Sequence, residues 1–102
     1  MNRYNVIKAD NYNYTLKDEV GDIFNISLQF YDVTPPQKGE YIWFSEKLLD
    51  KKANEGLVHF SFGKLTEKYG RKITQQNIKD NIDEILLIER DNKKLCLKRF
   101  YG

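Results

Sequence analysis

The chain has 102 residues, of which 40% are hydrophobic and 31% charged, and its formal net charge is +2. This length predicts one domain over residues 1–102, and this composition excludes an intrinsically disordered chain. No stretch approaches the roughly 18 apolar residues of a membrane span, and the N-terminal segment MNRYNVIKADNY lacks the apolar core of a signal peptide. The single cysteine excludes internal disulfides. A cytoplasmic protein without a membrane partner is therefore expected.

Two alternating stretches near the N-terminus predict a β-hairpin. NYNYTLK (11–17) and DIFNISLQF (22–30) flank DEVG, in which Gly21 suits a turn. A three-residue loop with Asp18 opposite Asp22 places apolar side chains on one face, namely Tyr12, Tyr14, Leu16, Phe24, Ile26, Leu28 and Phe30. The other face is polar, with Asn11, Asn13, Thr15, Asn25, Ser27 and Gln29. A shift of one residue would mix the two faces, so this register is well specified.

The middle of the chain predicts two further strands around a short helix. DVTPPQKGE ends the hairpin, and YIWF (41–44) is the next strand. Ser45 is a suitable N-cap for a helix in SEKLLD, and LVHFSFG (57–63) is a strand whose expected core residues are Val58, Phe60 and Phe62. KLTEKYGRK (64–72) is a basic loop, and 73–82 fits either a helical turn or an irregular crossing.

A second hairpin is predicted at the C-terminal end. EILLIER and KKLCLKRF flank Asp91-Asn92, a pair that tolerates the left-handed conformation of a two-residue turn. This register has four expected cross-strand pairs: Ile88 with Leu95, Leu86 with Leu97, Glu89 with Lys94 and Glu84 with Arg99.

These elements amount to about six short strands, which is typical of a small barrel or sandwich. PPQKGEYIWFSEKLL resembles the start of the third strand in OB-folds, and the order of hairpin, strand, helical insert and further strands is similar to that family. The resemblance implies a mainly β, five- to six-stranded Greek-key barrel with one or two short helices. LKRFYG also resembles the ending of short uncharacterised bacterial proteins and implies no activity. The predicted core contains Leu16, Phe24, Ile26, Leu28, Phe44, Phe60, Leu86 and Leu97.

Enzymatic chemistry is not expected, and neither is a metal or a cofactor. The one histidine, His59, lies on the outward parity of its strand, and Cys96 between two leucines is interpreted as a small buried hydrophobe. Lys94 and Lys98 share the parity of Cys96, which leaves a reactive thiol open. No Cys/His group has zinc-ligand spacing, and GKLTEKYG matches neither a Walker loop nor a dinucleotide turn.

The aromatic run in YIWFS indicates a binding face. If Ile42 and Phe44 fill the barrel, Tyr41 and Trp43 project outward, and the OB resemblance places this strand beside 22–30. Aromatic rings stack on bases and amides bond base edges, which favours single-stranded DNA or RNA as the ligand. The predicted site comprises Tyr41, Trp43, Asn13, Asn25 and Ser27, joined by Lys68, Arg71 and Lys72 for phosphates and Tyr69 for stacking.

Two other interpretations use the same residues. Residues 1–50 carry five Lys or Arg against eight Asp or Glu, whereas 51–102 carry twelve against seven. The acidic first half would repel phosphate and favours a protein-interaction or accessory-subunit domain, for which outward aromatics are suitable anchors. Alternatively, SEKLLDKK or 73–82 covers Trp43 for purely structural reasons. A monomer or weak homo-oligomer is expected in each case.

Overall fold

The computed structural model describes residues 1–49, 56–62, 76, 79 and 82–100, the last without its side chain. Residues 46–49 are helical and Ile82–Glu84 form a 3₁₀-helix. Within these residues there are seven strands: β1 (Asn2–Asp10), β2 (Asn13–Lys17), β3 (Ile23–Tyr31), β4 (Tyr41–Phe44), β5 (Val58–Ser61), β6 (Ile85–Arg90) and β7 (Lys93–Phe100). They form one sheet that closes on itself in the order β1-β2-β3-β5-β7-β6-β4. The protein is therefore mainly β with a closed, barrel-like sheet.

The strand order contains a Greek key. β1, β2 and β3 follow one another as an antiparallel meander, and β4 returns to the free side of β1. This gives the spatial order 4-1-2-3. β3 and β5 pair in parallel, whereas the remaining neighbours pair antiparallel. The expectation that YIWF lies beside 22–30 is therefore wrong, because β4 pairs with β1 and β6.

The N-terminal strand β1 was not among the six strands predicted from the sequence. Tyr4 and Val6 point into the core, but the pairing of β1 with β2 shifts between Val6 and Lys8. A bulge of this kind interrupts the alternation of apolar and polar residues by which a strand is recognised. The described part of the chain accordingly has seven strands rather than five to six.

The register predicted for the first hairpin is confirmed. Tyr14 lies opposite Ile26 and Leu16 opposite Phe24, and the Asp18 amide donates to the Asp22 carbonyl over 3.0 Å. Gly21 closes the loop with a φ of 100°. The expectation that Tyr12 faces the core is wrong, because Tyr12 lies in the turn between β1 and β2 and is 51% exposed.

The second hairpin also has its predicted apolar register. Leu86 lies opposite Leu97 and Ile88 opposite Leu95, and the turn residues Asp91 and Asn92 have φ values of 53° and 62°. Glu89 lies opposite Lys94 as expected. Glu84, expected opposite Arg99, lies in the 3₁₀-helix just before β6 begins, and its carboxylate accepts from the Lys98 ammonium.

The core lies inside the closed sheet and matches the prediction at most positions. Of the eight residues named as the predicted core, Phe24 alone is only partly buried, although it packs against the core. Tyr4, which the sequence did not indicate, stacks on Phe44 with ring centroids 4.3 Å apart. Phe62 is 37% exposed because it follows the end of β5, so its assignment to the core is wrong. Ser45 caps the helical turn, its hydroxyl accepting from the Lys47 amide over 3.2 Å.

Candidate binding surfaces

The outward aromatics of β4 are each covered by a cation, one from the adjacent strand β1 and one from β7, which lies beyond β6. The guanidinium carbon of Arg3 lies 3.6 Å from the ring centroid of Tyr41, and Lys94 Nζ lies 4.2 Å from that of Trp43. Both distances are within the range of favourable cation–π contacts. Tyr41 and Trp43 are half-buried, so the expected partial exposure of Trp43 is confirmed.

Glu89 joins these contacts into one group. Its Oε1 accepts from Arg3 Nε over 3.1 Å and its Oε2 from Arg3 Nη2 over 2.9 Å, and the Trp43 indole N–H donates to Oε1 as well. The Arg3 hydrogen bonds hold the pKa of the Glu89 carboxyl below its usual range. We call Arg3, Tyr41, Trp43, Glu89 and Lys94 the aromatic–cation cluster.

Trp43 has an apolar side as well as a charged one. It packs with Met1 and Cys96 against Ile85 and Leu87, which form a second apolar group outside the main core. These apolar contacts of Trp43 therefore come from Met1, which precedes β1, and from β6 and β7. SEKLLDKK and 73–82 were expected as alternative covers for this ring. Of SEKLLDKK, residues 45–49 are described, and Leu48 and Leu49 pack with the main core rather than with the group that contains Trp43. Residues 50–52 and most of 73–82 lie outside the described residues.

The predicted amide and hydroxyl residues come together on β2 and β3. Asn13 lies opposite Ser27 and Thr15 opposite Asn25. The Ser27 hydroxyl donates to Asn13 Oδ1 over 3.0 Å, and the Thr15 hydroxyl donates to Asn25 Oδ1 over 2.9 Å. We call these four residues the amide face.

The amide face and the aromatic–cation cluster are separate surfaces. β1 lies between β2 and β4, so Tyr41 and Trp43 do not adjoin Asn25 or Ser27. The physical reason is the crossing between β3 and β4, which carries the chain past β1 to its far side. The structure thus brings together Asn13, Asn25 and Ser27 of the predicted site but not the two β4 aromatics.

Other aromatic residues lie close to the amide face along the chain. The exposed Tyr12 is held by its backbone, whose carbonyl accepts from the Leu28 amide over 2.8 Å. Further along β3, the Tyr31 hydroxyl lies 3.2 Å from His59 Nδ1 on β5. Sequence reasoning missed Tyr12 because it was assigned to the core. The Asn11-Tyr12 pair, with Asn11 at a φ of 54°, is the turn signal that would have identified it.

The charges around the amide face are mixed. Lys8 of β1 lies opposite Thr15, Asp10 lies opposite Asn13, and Lys17 extends β2 at its far end. The residues of the basic loop that were predicted to contact phosphates and bases lie outside the described part of the chain. They are Lys68, Tyr69, Arg71 and Lys72.

A third surface lies at the loop between β2 and β3. Val20 is 84% exposed and Ile23 is 60% exposed, beside the acidic residues Asp18, Glu19 and Asp22. Next to them runs a surface groove of about 470 Å³, lined by Arg3, Asn5, Lys17, Asp18, Glu19 and Tyr41. Exposed aliphatic side chains within a polar rim are typical of protein contacts.

The residues considered for catalysis have structural partners. His59 contacts the Tyr31 hydroxyl, and burial raises the pKa of the Cys96 thiol, which disfavours the reactive thiolate. Across the part of the chain that the structure describes, no three His, Cys, Asp or Glu side chains are grouped to hold a metal ion.

Comparison with known proteins finds no matching family model, no matching curated protein and no matching solved structure. Among the described residues, no helix has the length and apolar character needed to cross a membrane. Function is therefore inferred from the surfaces of this chain.

Proposed function

We propose that this protein is a non-enzymatic, cytoplasmic binding module that holds single-stranded nucleic acid across its amide face. The observation that carries the proposal is an exposed, uncharged row of amide and hydroxyl groups with Tyr12 in the adjoining turn. Unstacked bases offer hydrogen-bonding edges and flat faces, which match amides and an aromatic ring respectively.

The resemblance to OB-folds supports the same surface. The order β4-β1-β2-β3 is a Greek key, as in that family, although seven strands rather than five close the sheet. OB-folds bind oligonucleotides on the face of strands 2 and 3 and on the loop between strands 1 and 2. The proposal equates the amide face, on β2 and β3, with the first of these positions and Tyr12, between β1 and β2, with the second.

The proposal assigns base stacking to Tyr12 rather than to Trp43 or Tyr41. A cation lies over each of those two rings, and a base would have to displace Lys94 or Arg3 to stack on the same side. Lys8 and Lys17 adjoin the amide face and are suited to phosphates. Lys68, Arg71 and Lys72 are proposed as further phosphate contacts, with Tyr69 as a second stacking ring.

The proposal is tested by titrating short labelled single-stranded oligonucleotides and following fluorescence polarisation. Stacking contributes about 1–3 kcal/mol per base, so Tyr12→Ala should weaken binding roughly five- to 150-fold, whereas Tyr12→Phe should bind nearly as the wild type. Affinity should also fall with increasing salt as phosphate contacts are screened. Val20→Ala, at a different surface, is the matched control. Absence of binding at low salt, or equal affinities for Tyr12→Ala and wild type, would contradict the proposal.

A protein partner is the second candidate, and the exposure of Val20 and Ile23 favours it. Site-specific photo-crosslinkers placed at Val20 and at Tyr12 in cells distinguish the two functions. A nucleic-acid adduct at position 12 supports the first proposal. A discrete protein adduct at position 20 that disappears with Ile23→Ser supports the second.

A further inference from the structure

The amide of Asn13 is held in one orientation by its neighbour across the hairpin. A serine hydroxyl has one proton to donate, and that of Ser27 donates to Asn13 Oδ1 over 3.0 Å. The oxygen of the amide is thereby directed at Ser27. Asn13 is exposed, and the group that it turns away from Ser27 is the amide nitrogen, which has two donors and no acceptor.

The neighbouring pair repeats this arrangement with the strands exchanged. Here the hydroxyl belongs to β2 and the amide to β3, since Thr15 donates to Asn25 Oδ1 over 2.9 Å. In both pairs a hydroxyl donor fixes an amide oxygen within the sheet surface. Orientation of the amides is therefore a shared property of this face rather than a feature of one residue.

We infer, on the premise of the proposed function, that Asn13 is a specificity-determining residue that recognises position 4 of a pyrimidine and so favours uracil or thymine over cytosine. An amide N–H₂ group bonds acceptors. Thymine and uracil have an acceptor oxygen at position 4, where cytosine has an amino group that is itself a donor. At position 4 of cytosine, donor meets donor, and the hydrogen bond formed there with uracil or thymine is lost.

Oligo(dU) and oligo(dC) of equal length are the probes that isolate this contact. They share backbone, charge and ring size, and neither has the thymine methyl group. Both bases are pyrimidines, so the strength with which they stack on an aromatic ring differs little. Stacking strength is the usual source of base preference on surfaces that bind single strands of any sequence. A hydrogen bond between neutral groups predicts that oligo(dU) binds the wild type roughly two- to tenfold more tightly than oligo(dC).

Three variants distinguish a hydrogen bond from Asn13 to the base from a change in the overall charge of the surface. Asn13→Asp keeps the shape and an acceptor for Ser27 but replaces the donors by an acceptor, so the dU-to-dC affinity ratio should invert. The added charge repels both oligonucleotides alike and cancels in this ratio. Asn11→Asp, the same change in the adjoining turn, should leave the ratio at its wild-type value. Ser27→Ala frees the amide to rotate, and the ratio should fall towards one.

Different results would contradict the proposed function and the inferred preference for uracil or thymine. If neither oligonucleotide binds the wild type at low salt, the proposed function is overturned and the inference with it. If both bind with equal affinity, or if Asn13→Asp leaves the ratio unchanged, the inference is overturned while the proposed function stands. Thermal unfolding of each variant establishes that the hairpin is intact.

Discussion

Arg3 and Glu89, 86 positions apart in the chain, form a bidentate ion pair that joins β1 to β6 across the intervening strand β4. The aromatic side chains of β4 adjoin this pair, since Tyr41 lies beneath the guanidinium and Trp43 donates to the same carboxylate. The outward half of YIWF therefore has partners within the molecule. This arrangement explains how a four-residue apolar run is accommodated in a strand with only one core-facing side.

The first prediction concerns pH and stability. Hydrogen bonds from Arg3 and Arg90 hold the pKa values of Glu89 and Glu40 below their ordinary value of 4.5. A carboxyl whose folded pKa is lowered stabilises the folded state above its unfolded pKa, and this contribution disappears as pH falls through the folded pKa. The urea midpoint of the wild type should therefore fall between pH 5 and pH 3.

Glutamine variants provide the check on this pH dependence. Glu89→Gln and Glu40→Gln should each lower the midpoint at pH 7 and flatten its decline at acidic pH, because the titrating group is gone. Glu19→Gln, at the exposed loop between β2 and β3, serves as the control. A decline as steep in both variants as in the wild type would assign the acid sensitivity to other carboxyls.

The second prediction compares two core phenylalanines. Phe60 is fully buried, so Phe60→Ala should lower the free energy of unfolding by about 3–5 kcal/mol, the usual range for a packed aromatic residue. Phe24 is only partly buried and contacts Tyr4 edge-on at 6.1 Å, so Phe24→Ala should cost less. Chemical denaturation measures both. Equal losses would indicate that Phe24 is as enclosed as Phe60.

The third prediction concerns the turn between β6 and β7. Asn92 has a φ of 62°, a conformation that costs an ordinary L-residue about 1–2 kcal/mol and costs glycine almost nothing. Asn92→Gly should therefore match or exceed the wild type in stability, whereas Asn92→Ala should be less stable. Thermal melts of the two variants are the measurement, and the reverse order would exclude this turn geometry.

The fourth prediction concerns the fluorescence of Trp43, the single tryptophan. Since its indole is half-buried and hydrogen-bonded to Glu89, the emission maximum should lie between those of a buried and a fully exposed indole. Oligonucleotides bound at the amide face should leave this emission nearly unchanged, because β1 separates β4 from β2. Strong quenching that depends on salt would instead locate the nucleic acid on β4.

The parts of this protein that the sequence determined by itself are local. Leu16 opposite Phe24 and Ile88 opposite Leu95 follow from side-chain alternation and from turn residues a few positions away, so both registers could be predicted. The members of the amide face followed from the same alternation.

Only the tertiary structure decided which strands lie side by side in the sheet. The bulge in β1 concealed that strand, and the return of β4 to β1 separated Trp43 from the amide face. Alternation fixes which side of its own strand a residue occupies. Which strand lies next to it depends on long-range pairing within the closed sheet, as the pair Arg3–Glu89 shows, and no local pattern encodes that choice.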